Sequence, residues 1–554
     1  MPVVTIDYQD LVSLIGEHVS QEELLKKIPM MGADIDRVNG SEMSIEFFPD
    51  RPDLLSVEGV ARSLRSFLGM APGMQHYQVA GPSVTLTVDR SVKAVRPIIG
   101  AAVVRNVQMS EALVGSLMEL QEKLHLSVGK ERTKVAIGLH NLDAVTPPFV
   151  YKAVKPTEVS FVPLNETAEM NLDQILQRHD KGIAYAHILA DQRRYPLIVD
   201  AHHNVLSFPP IINGELTAVD LFTENLFVDV TGTQANAVTA ALNIMTAALA
   251  ERGGVVEAVA IEDEPSRVTP DFSPQEWRVE VDYASRLLGF DVREEAMAAL
   301  GRMGFDARVD KGEVVVQVPP WRSDILHPVD LVEDLAIGYG YQRFTPRLPR
   351  SMTFGGSLSW RPLHDTLVGL GFNEVVTLSL SSPEEQFERM RRGEETEAVR
   401  IANPLTTRHT LVRVSLLPSL LEILSKNRHH ELPQMLYEVG EAVWLEDGRP
   451  ENVTLLAGVK IDARAGFTEC KSLVEAVLRN LGVEAEVTGG EHPSFIPGRC
   501  AAVAGDDGGE LGYFGELHPE VISSFDLEYP VIAFEMQASA LRPSFEEQDY
   551  SHSG

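Results

Sequence analysis

Cysteine, long apolar runs and positive charge are all scarce in this sequence, and each shortage closes off a class of protein. The two cysteines, Cys470 and Cys500, cannot build a disulfide framework, and no C-x-x-C pair offers thiolates to zinc. That usage fits a reducing cytosol. No apolar run approaches the roughly 18 residues of a membrane-spanning helix. The opening MPVVTIDYQDLV also lacks the basic-then-apolar layout of a signal peptide. A cytoplasmic chain without membrane contact is expected. Lys and Arg number 48 against 80 Asp and Glu, a net charge of −32. Such a balance argues against a surface that grips nucleic acid indiscriminately, because phosphate contacts need cations. It leaves open a local basic site or a basic partner, and strong acidity also favours solubility.

With 554 residues and 44% hydrophobic content, the chain can bury several cores, so about three to five domains are expected. Its densest stretch is Pro319–Tyr341, PPWRSDILHPVDLVEDLAIGYGY, which places Asp324, Asp330, Glu333 and Asp334 beside an apolar run. Leu331, Leu335, Ile337 and Tyr339 recur at roughly helical spacing, and Asp330, Glu333 and Asp334 then stand at i, i+3 and i+4 on one face. Like charges so placed repel one another. Two readings are open: Asp330 caps a helix and the others are solvated, or the carboxylates converge on a hard oxygen-seeking cation such as Mg²⁺.

An internal repeat surrounds that stretch. Residues 1–75 read as a compact strand–helix module in which Ser20-x-x-Glu23 opens a helix running to Met31, with Gly32 as its stop. The layout returns over 270–345: Ile6-Asp7-Tyr8 matches Val281-Asp282-Tyr283, and Met31-Gly32-Ala33-Asp34 matches Met303-Gly304-Phe305-Asp306. Arg51-x-Asp53 likewise matches Arg322-x-Asp324. The places of Asp330, Glu333 and Asp334 hold Gly59, Arg62 and Ser63 in the first copy, so any metal site belongs to the second copy alone.

Between the copies, residues 84–262 read as a larger α/β domain with strands at Val84–Val88, Ile98–Val104, Lys134–Gly138, Tyr195–Asp200 and Leu226–Val230. Helices are expected at Ser110–Leu124 and Asn236–Arg252. Ser207, Asn213, Glu215, Asp229, Thr231 and Thr233 lie among apolar strands and a rigid Pro-Pro, a pattern that suits a pocket with few fixed polar groups. No Ser/His/Asp or Cys/His motif stands nearby, so a hydrolytic pocket here would position water rather than form a covalent intermediate. The same residues could equally satisfy turns and strand ends. Linkers at Glu262–Pro274 and Thr345–Ser357 flank the second copy. Residues 350–541 follow, with helices at Leu363–Leu370 and Ser415–Asn427 and strands at Glu374–Leu380, Gln434–Val439, Asn452–Val459, Val503–Gly505, Leu511–Phe514 and Val531–Glu535. They read as an antiparallel sheet with flanking helices, and 542–554 as a polar tail. The fold class is multidomain α+β.

Seven segments, PDRPDLLSVEGVARSL (49–64), LSFPPIINGELT (206–217), FVDVTGT (227–233), VPPWRSDILHPVDLVEDLAIGYGY (318–341), ANPLTTRHTLVRVSLLPSLLEIL (402–424), HPSFIPGR (492–499) and GYFGELHPEV (512–521), occur in an order that resembles phenylalanyl-tRNA synthetase β subunits of the archaeal and eukaryotic type. The resemblance implies an editing domain at 84–262 that hydrolyses tyrosine wrongly attached to phenylalanine tRNA, with Asn213, Glu215, Asp229 and Thr231 as its working residues. It implies Mg²⁺ at Asp324, Asp330, Glu333 and Asp334, with Asp334 standing where the family often has Glu. It also implies a class II synthetase-like module at 350–541 that lacks catalytic motifs, since neither a Phe-Arg-x-Glu nor a Gly-x-Gly-x-x-Arg motif is present within those residues. ATP and phenylalanine would then be bound by an α subunit, in an (αβ)₂ heterotetramer that charges tRNA(Phe). Relative to the bacterial type, neither an inserted oligonucleotide-binding domain nor a C-terminal anticodon-binding domain is expected. Lys123–Lys134 and Lys426–His430 are candidate tRNA contacts, and a solvated charge run is the plainer reading of both. A free-standing hydrolase of mischarged tRNA and a pure scaffold are the alternatives.

Overall fold

The computed structural model describes residues 3–348, 360–393, 398–505 and 508–541, and the chain divides into two compact units, Met1–Leu348 and Pro349–Gly554. The tail expected at 542–554 lies outside the described residues, as does the linker beyond Leu348.

The first unit opens with strand β1 (Val3–Asp7), whose last side chain caps helix α1 (Tyr8–Ile15) by accepting from the Gln9 and Asp10 amides. Helix α2 (Gln21–Lys27) starts on the Ser20 hydroxyl, as the capping pattern predicts. It is shorter than expected. Ile28–Met31 is a 3₁₀ turn instead, because Pro29 has no amide to donate, and Gly32 ends the turn at φ 88°. Strands β2 (Ala33–Asn39) and β3 (Glu42–Phe47) complete a sheet of order β1-β3-β2, covered by helix α3 (Val57–Phe67).

The next elements are β4 (Val79–Val88), β5 (Ile98–Arg105), α4 (Glu111–Leu126), β6 (Val135–Asn141) and β7 (Phe149–Val154). A small ladder of β8 (Ser160–Phe161) and β9 (Met170–Asn171) precedes α5 (Leu172–Arg178) and α6 (Asp180–Tyr185). Then come β10 (Tyr195–Val199), β11 (Val205–Phe208), β12 (Ile212–Asn213), β13 (Leu226–Gly232), α7 (Ala235–Glu251), β14 (Val255–Glu262) and β15 (Arg267–Thr269). These strands form one sheet of order β12-β11-β10-β7-β4-β14-β5-β13-β6, with β15 added on β14. The parallel pairings in this sheet are those of β4 with β7 and with β14. The two ends of the order meet, for the Asn213 side-chain amide on β12 donates to Leu139 O on β6 at 3.2 Å. Strand β13 is buried along its whole length, which explains its unbroken apolar run around Asp229 and Thr231. Beyond α7, Arg252 holds Asp10 and Glu58 at 2.7 Å each, and Glu251 takes Arg65 at 2.6 Å, fastening this domain to the first module.

Strand β16 (Gln275–Glu280), helices α8 (Val281–Leu288) and α9 (Ala296–Arg302), strands β17 (Asp306–Asp310) and β18 (Glu313–Val318) and helix α10 (Pro328–Tyr339) repeat the first module, with sheet order β16-β18-β17. The copies pack together through Gly73 N to Gly301 O at 2.7 Å and Met74 N to the Asp306 carboxylate at 2.9 Å. Their matching turns bury Arg51 on Asp53 at 2.8 Å and Arg322 on Asp324 at 2.7 Å, within electrostatic reach of each other. Arg62 reaches Asp53 at 3.9 Å and lies over the Trp321 ring of the other copy at 4.7 Å.

The second unit is a seven-stranded sheet running Asn373–Glu374, Gln434–Glu446, Arg449–Ile461, Val531–Gln537, Glu510–Leu517, Phe495–Gly505, Ala485–Gly489, antiparallel except for its first pair. Helices Arg361–Gly369 and Phe467–Leu481 share one apolar core with it, and Leu417–Lys426 and Pro519–Ser524 share another. The strand expected over 374–380 survives only as two short pieces, Asn373–Glu374 and Leu380–Ser381. Between them Thr377 turns its amide and hydroxyl to the Glu438 carboxylate, at 3.3 and 2.6 Å, instead of to a neighbouring strand.

Candidate active site

Where the two ends of the large sheet meet, β6, β13 and the 207–219 segment enclose a cavity of about 460 Å³. Its walls include all four residues predicted for the pocket, Asn213, Glu215, Asp229 and Thr231, together with Ser207. Asp229 is 2% exposed, and its Oδ2 meets His140 Nε2 at 2.8 Å. The other ring nitrogen of His140 lies 2.8 Å from Thr217 Oγ1, which itself donates toward Gly214 O and Leu206 O at 3.2 and 3.3 Å. Opposite Asp229 in the β6–β13 register stands Gly138, where an added Cβ would come within 2.0 Å of Asp229 Oδ2. A glycine is what admits the carboxylate.

Thr231 is gripped by Arg96, whose Nε donates to Oγ1 at 3.0 Å and Nη2 to the main-chain carbonyl at 2.8 Å. Burial pulls the Arg96 guanidinium down to about 10, against the pull of Tyr151 and Asp229 nearby. With Oγ1 already accepting from Arg96, the Thr231 hydroxyl keeps its own proton for a donor contact. Ser207 is buried, and its hydroxyl has no protein partner, the state expected of a group that meets water or a ligand. Glu215 is exposed, receives the Asn165 amide at 2.8 Å, and stands at the mouth rather than in the depth. The floor and rim are braced by Arg132, which donates to Ile211 O at 2.9 Å and Glu122 at 2.7 Å and covers the Tyr185 ring. Lys130, Glu131 and Arg132 reach that position through three successive left-handed residues, φ 45°, 52° and 65°.

These groups suit an amino-acid-sized guest, with apolar walls at Leu139, Phe208 and Ile211 and a buried carboxylate and hydroxyl to hold water. Thr217, His140 and Asp229 follow the connectivity of a nucleophilic triad. The nucleophile is missing in substance, because Thr217 is fully buried and its hydroxyl is turned to two carbonyls.

The acidic helix is arranged differently from the expectation of one convergent cluster. His327 is the N-cap of α10, and Asp330, three residues on, accepts the Leu326 and His327 amides at 2.8 and 2.7 Å. Glu333 is exposed. Asp334 turns inward, and Arg322 binds it at 2.5 Å while also holding Asp324 at 2.7 Å. Burial pushes the Asp334 carboxyl up from the ordinary range, with Arg322 opposing. Among the described residues no group of three or more His, Cys, Asp or Glu is placed to share a metal ion. The four carboxylates thus do not fit a Mg²⁺ cage within this chain alone, since a guanidinium already compensates two of them.

Residues 277–341 match the family described as the tRNA synthetase B5 domain, and residues 348–538 the phenylalanyl tRNA synthetase beta chain CLM domain. The phenylalanine–tRNA ligase β subunit of Methanothrix thermoacetophila is 47% identical over 547 residues, covering 97% of this chain and 100% of the relative. That of Archaeoglobus fulgidus is 44% identical, covering 98% of each. The chain belongs to the phenylalanine–tRNA ligase β-subunit family. A crystal structure of an N-terminal fragment of the phenylalanyl-tRNA synthetase β subunit from Pyrococcus horikoshii overlays with a TM-score of 0.59 at 38% identity, covering 61% of this chain and 100% of that one. Three residues of this family member's pocket escaped the sequence reading: His140, Thr217 and Arg96. A lone histidine inside the apolar strand VAIGLHN was the available signal, but its partners lie 77 and 89 residues away.

Proposed function

We propose that this chain is the proofreading, non-activating subunit of a phenylalanine–tRNA ligase. It supports ATP-dependent attachment of phenylalanine to tRNA(Phe) by an α subunit and hydrolyses tyrosine wrongly attached to that tRNA. The observation that carries the reading is the buried pair Asp229 and Thr231 facing a cavity of amino-acid size with no usable nucleophile beside it. Tyrosine differs from phenylalanine by one hydroxyl, and an apolar site rejects an added hydroxyl only about 10²-fold, so a second, polar sieve is needed. In the reaction a water oxygen bonds to the ester carbonyl carbon and the bond to the ribose oxygen breaks. One water proton passes by way of Asp229 to the departing ribose oxygen, and tyrosine leaves as its carboxylate while the second proton goes to solvent. Thr231 orients the water, Asn213 and Ser207 serve the side chain, and Glu215 at the mouth takes the substrate ammonium.

The second unit supports a non-activating role. Its sheet charges are spent on one another: Arg413 holds Glu438 at 2.9 Å, and Glu535 takes Ser415, the Leu416 amide and Tyr513. Val376, Leu378 and Leu405 stand 86%, 68% and 101% exposed, apolar surface suited to a partner subunit in a heterotetramer. Mg²⁺ enters this reading only as an ion met at Asp330 and Glu333, with its other oxygens supplied by the partner. No described helix is long and apolar enough to cross a membrane, and the proposed place of action is the cytoplasm.

The test uses the full chain with and without the α subunit. Tyr-tRNA(Phe) should be deacylated by the unchanged chain and not by D229A, while phenylalanine charging by the assembled pair is unaffected by that change. Deacylation surviving in D229A would put the pocket elsewhere, and charging by this chain alone would refute the non-activating role.

A further inference from the structure

His140 is completely buried, lies inside the wall of the cavity, and is not a group that a substrate could reach. It bridges three segments that share little sequence neighbourhood: its own strand β6, Asp229 on β13, and Thr217 at the end of the 206–217 loop that also carries Asn213 and Glu215. Thr217 in turn is tied to Leu206 O and Gly214 O, the two ends of that loop's hairpin. One imidazole therefore sets both the orientation of the buried carboxylate and its distance from the loop that would carry the substrate contacts.

The geometry points to His140 as a positioning residue for hydrolysis, one that holds the Asp229 carboxylate in a single orientation and passes the placement of the 206–217 loop to it through Thr217. This rests on the proofreading reading of the pocket. Three features separate the role from plain core packing. Both ring nitrogens are engaged at 2.8 Å, one on Asp229 and one on Thr217, so the ring cannot turn without losing both contacts. Gly138 leaves open the space into which the Asp229–His140 pair fits, 2.0 and 2.7 Å from a would-be Cβ. Arg96 and Tyr151 also lie within electrostatic reach of Asp229. Arg96 is spent on Thr231 and Thr133, and the Tyr151 hydroxyl on Arg96 O, so neither can replace the imidazole donor.

The test is steady-state deacylation of Tyr-tRNA(Phe) by the full chain as a function of substrate concentration, with D229A, H140F, H140Q and T217V beside the unchanged protein. Removing an outer partner of a working group ordinarily costs about 10- to 100-fold, so H140F should fall by roughly that factor in kcat with KM within about two-fold. H140Q keeps an N–H for Asp229 and should recover most of the rate, which a filler of core volume would not do. If H140F does not fold, as judged by thermal melting, T217V carries the test: it should slow kcat several-fold with KM held, whereas complete loss would make Thr217 a nucleophile and overturn the assignment. The assignment also fails if H140F or T217V keeps the unchanged rate while D229A is inactive, or if H140Q is no better than H140F. An active D229A would instead overturn the pocket reading itself.

Discussion

Replacing Arg322 by Met removes the one cation that Asp324 and Asp334 share. The Arg322 side chain is 2% exposed, with its partners at 10% and 6%, so the lost charge cannot be replaced by water. Breaking a buried pair from one side leaves an uncompensated charge and costs about 3–5 kcal/mol. Asp324 and Asp334 lose their direct partner, while Arg51 of the other copy stays within electrostatic reach of both, so the lower half of that range applies. Arg322→Lys keeps the charge but not the fork that spans both acids, and should lose about half as much. The triple change R322M/D324N/D334N, which removes all three charges, should regain most of the loss, as neutral replacements of buried pairs commonly do. The readout is native-state hydrogen exchange of the α10 amides, which reports local opening where a chain of several domains does not unfold in one step. A cost of 3–5 kcal/mol speeds exchange by about two to nearly four powers of ten. A chelator should leave the unchanged chain, without its partner, where it was. R322M exchanging within about five-fold of the unchanged chain, or a chelator producing the R322M effect, would refute the claim that a guanidinium balances this cluster.

Three further outcomes are expected. Gly138→Ala forces a Cβ to 2.0 Å from Asp229 Oδ2 and should cost about 1–3 kcal/mol as overpacking does, abolishing Tyr-tRNA(Phe) deacylation while phenylalanine charging with the α subunit persists; unchanged deacylation contradicts it. His492 is stacked on Tyr513 at 4.4 Å, and burial pulls its imidazole down to about 4 from 6.5. The folded value is depressed, so the stability it contributes is whole above pH 6.5 and is lost as pH falls through about 4, by about 1–2 kcal/mol after allowance for its partial exposure. Denaturant melts of H492F should show a flatter acid slope over that window, and an identical slope counts against the account. Arg252→Ala strands Glu58, which is completely buried, at a cost of about 3 kcal/mol. Faster exchange of α3 amides, with the second unit unchanged, is the expected signature.

The repeat was legible because its markers are local: a capping serine, a glycine stop and an Arg-x-Asp turn each act within a few residues. The long strands of the large sheet were legible as apolar runs, although Val79–Val88 and Val135–Asn141 extend past the expected ends. The helix Phe467–Leu481 was missed even though Cys470, Val474, Val477, Leu478 and Leu481 mark its buried face. The partners of the acidic face were not legible for a physical reason. Spacing of i, i+3 and i+4 says which side chains share a helix face, not which way each carboxylate turns, and an arginine twelve residues before Asp334 decided that. The pocket residues Asn213, Asp229 and Thr231 could be proposed from polar atoms in apolar strands, but what tethers them, His140 and Arg96, is fixed by strand order. Strand order is a long-range property that no local pattern carries.

The paired turns of the two repeat copies have a consequence for how such a duplication can change. In the first copy two guanidiniums, Arg51 and Arg62, surround one carboxylate, Asp53. In the second, one guanidinium, Arg322, serves two carboxylates, Asp324 and Asp334. One half is a buried net cation and the other a buried net anion, so descendants of one module have become opposite in charge and complete each other. A chimera carrying two first copies, or two second copies, would enclose two like charges with nothing to answer them. The halves have ceased to be interchangeable, and what began as repetition is now a mutual dependence.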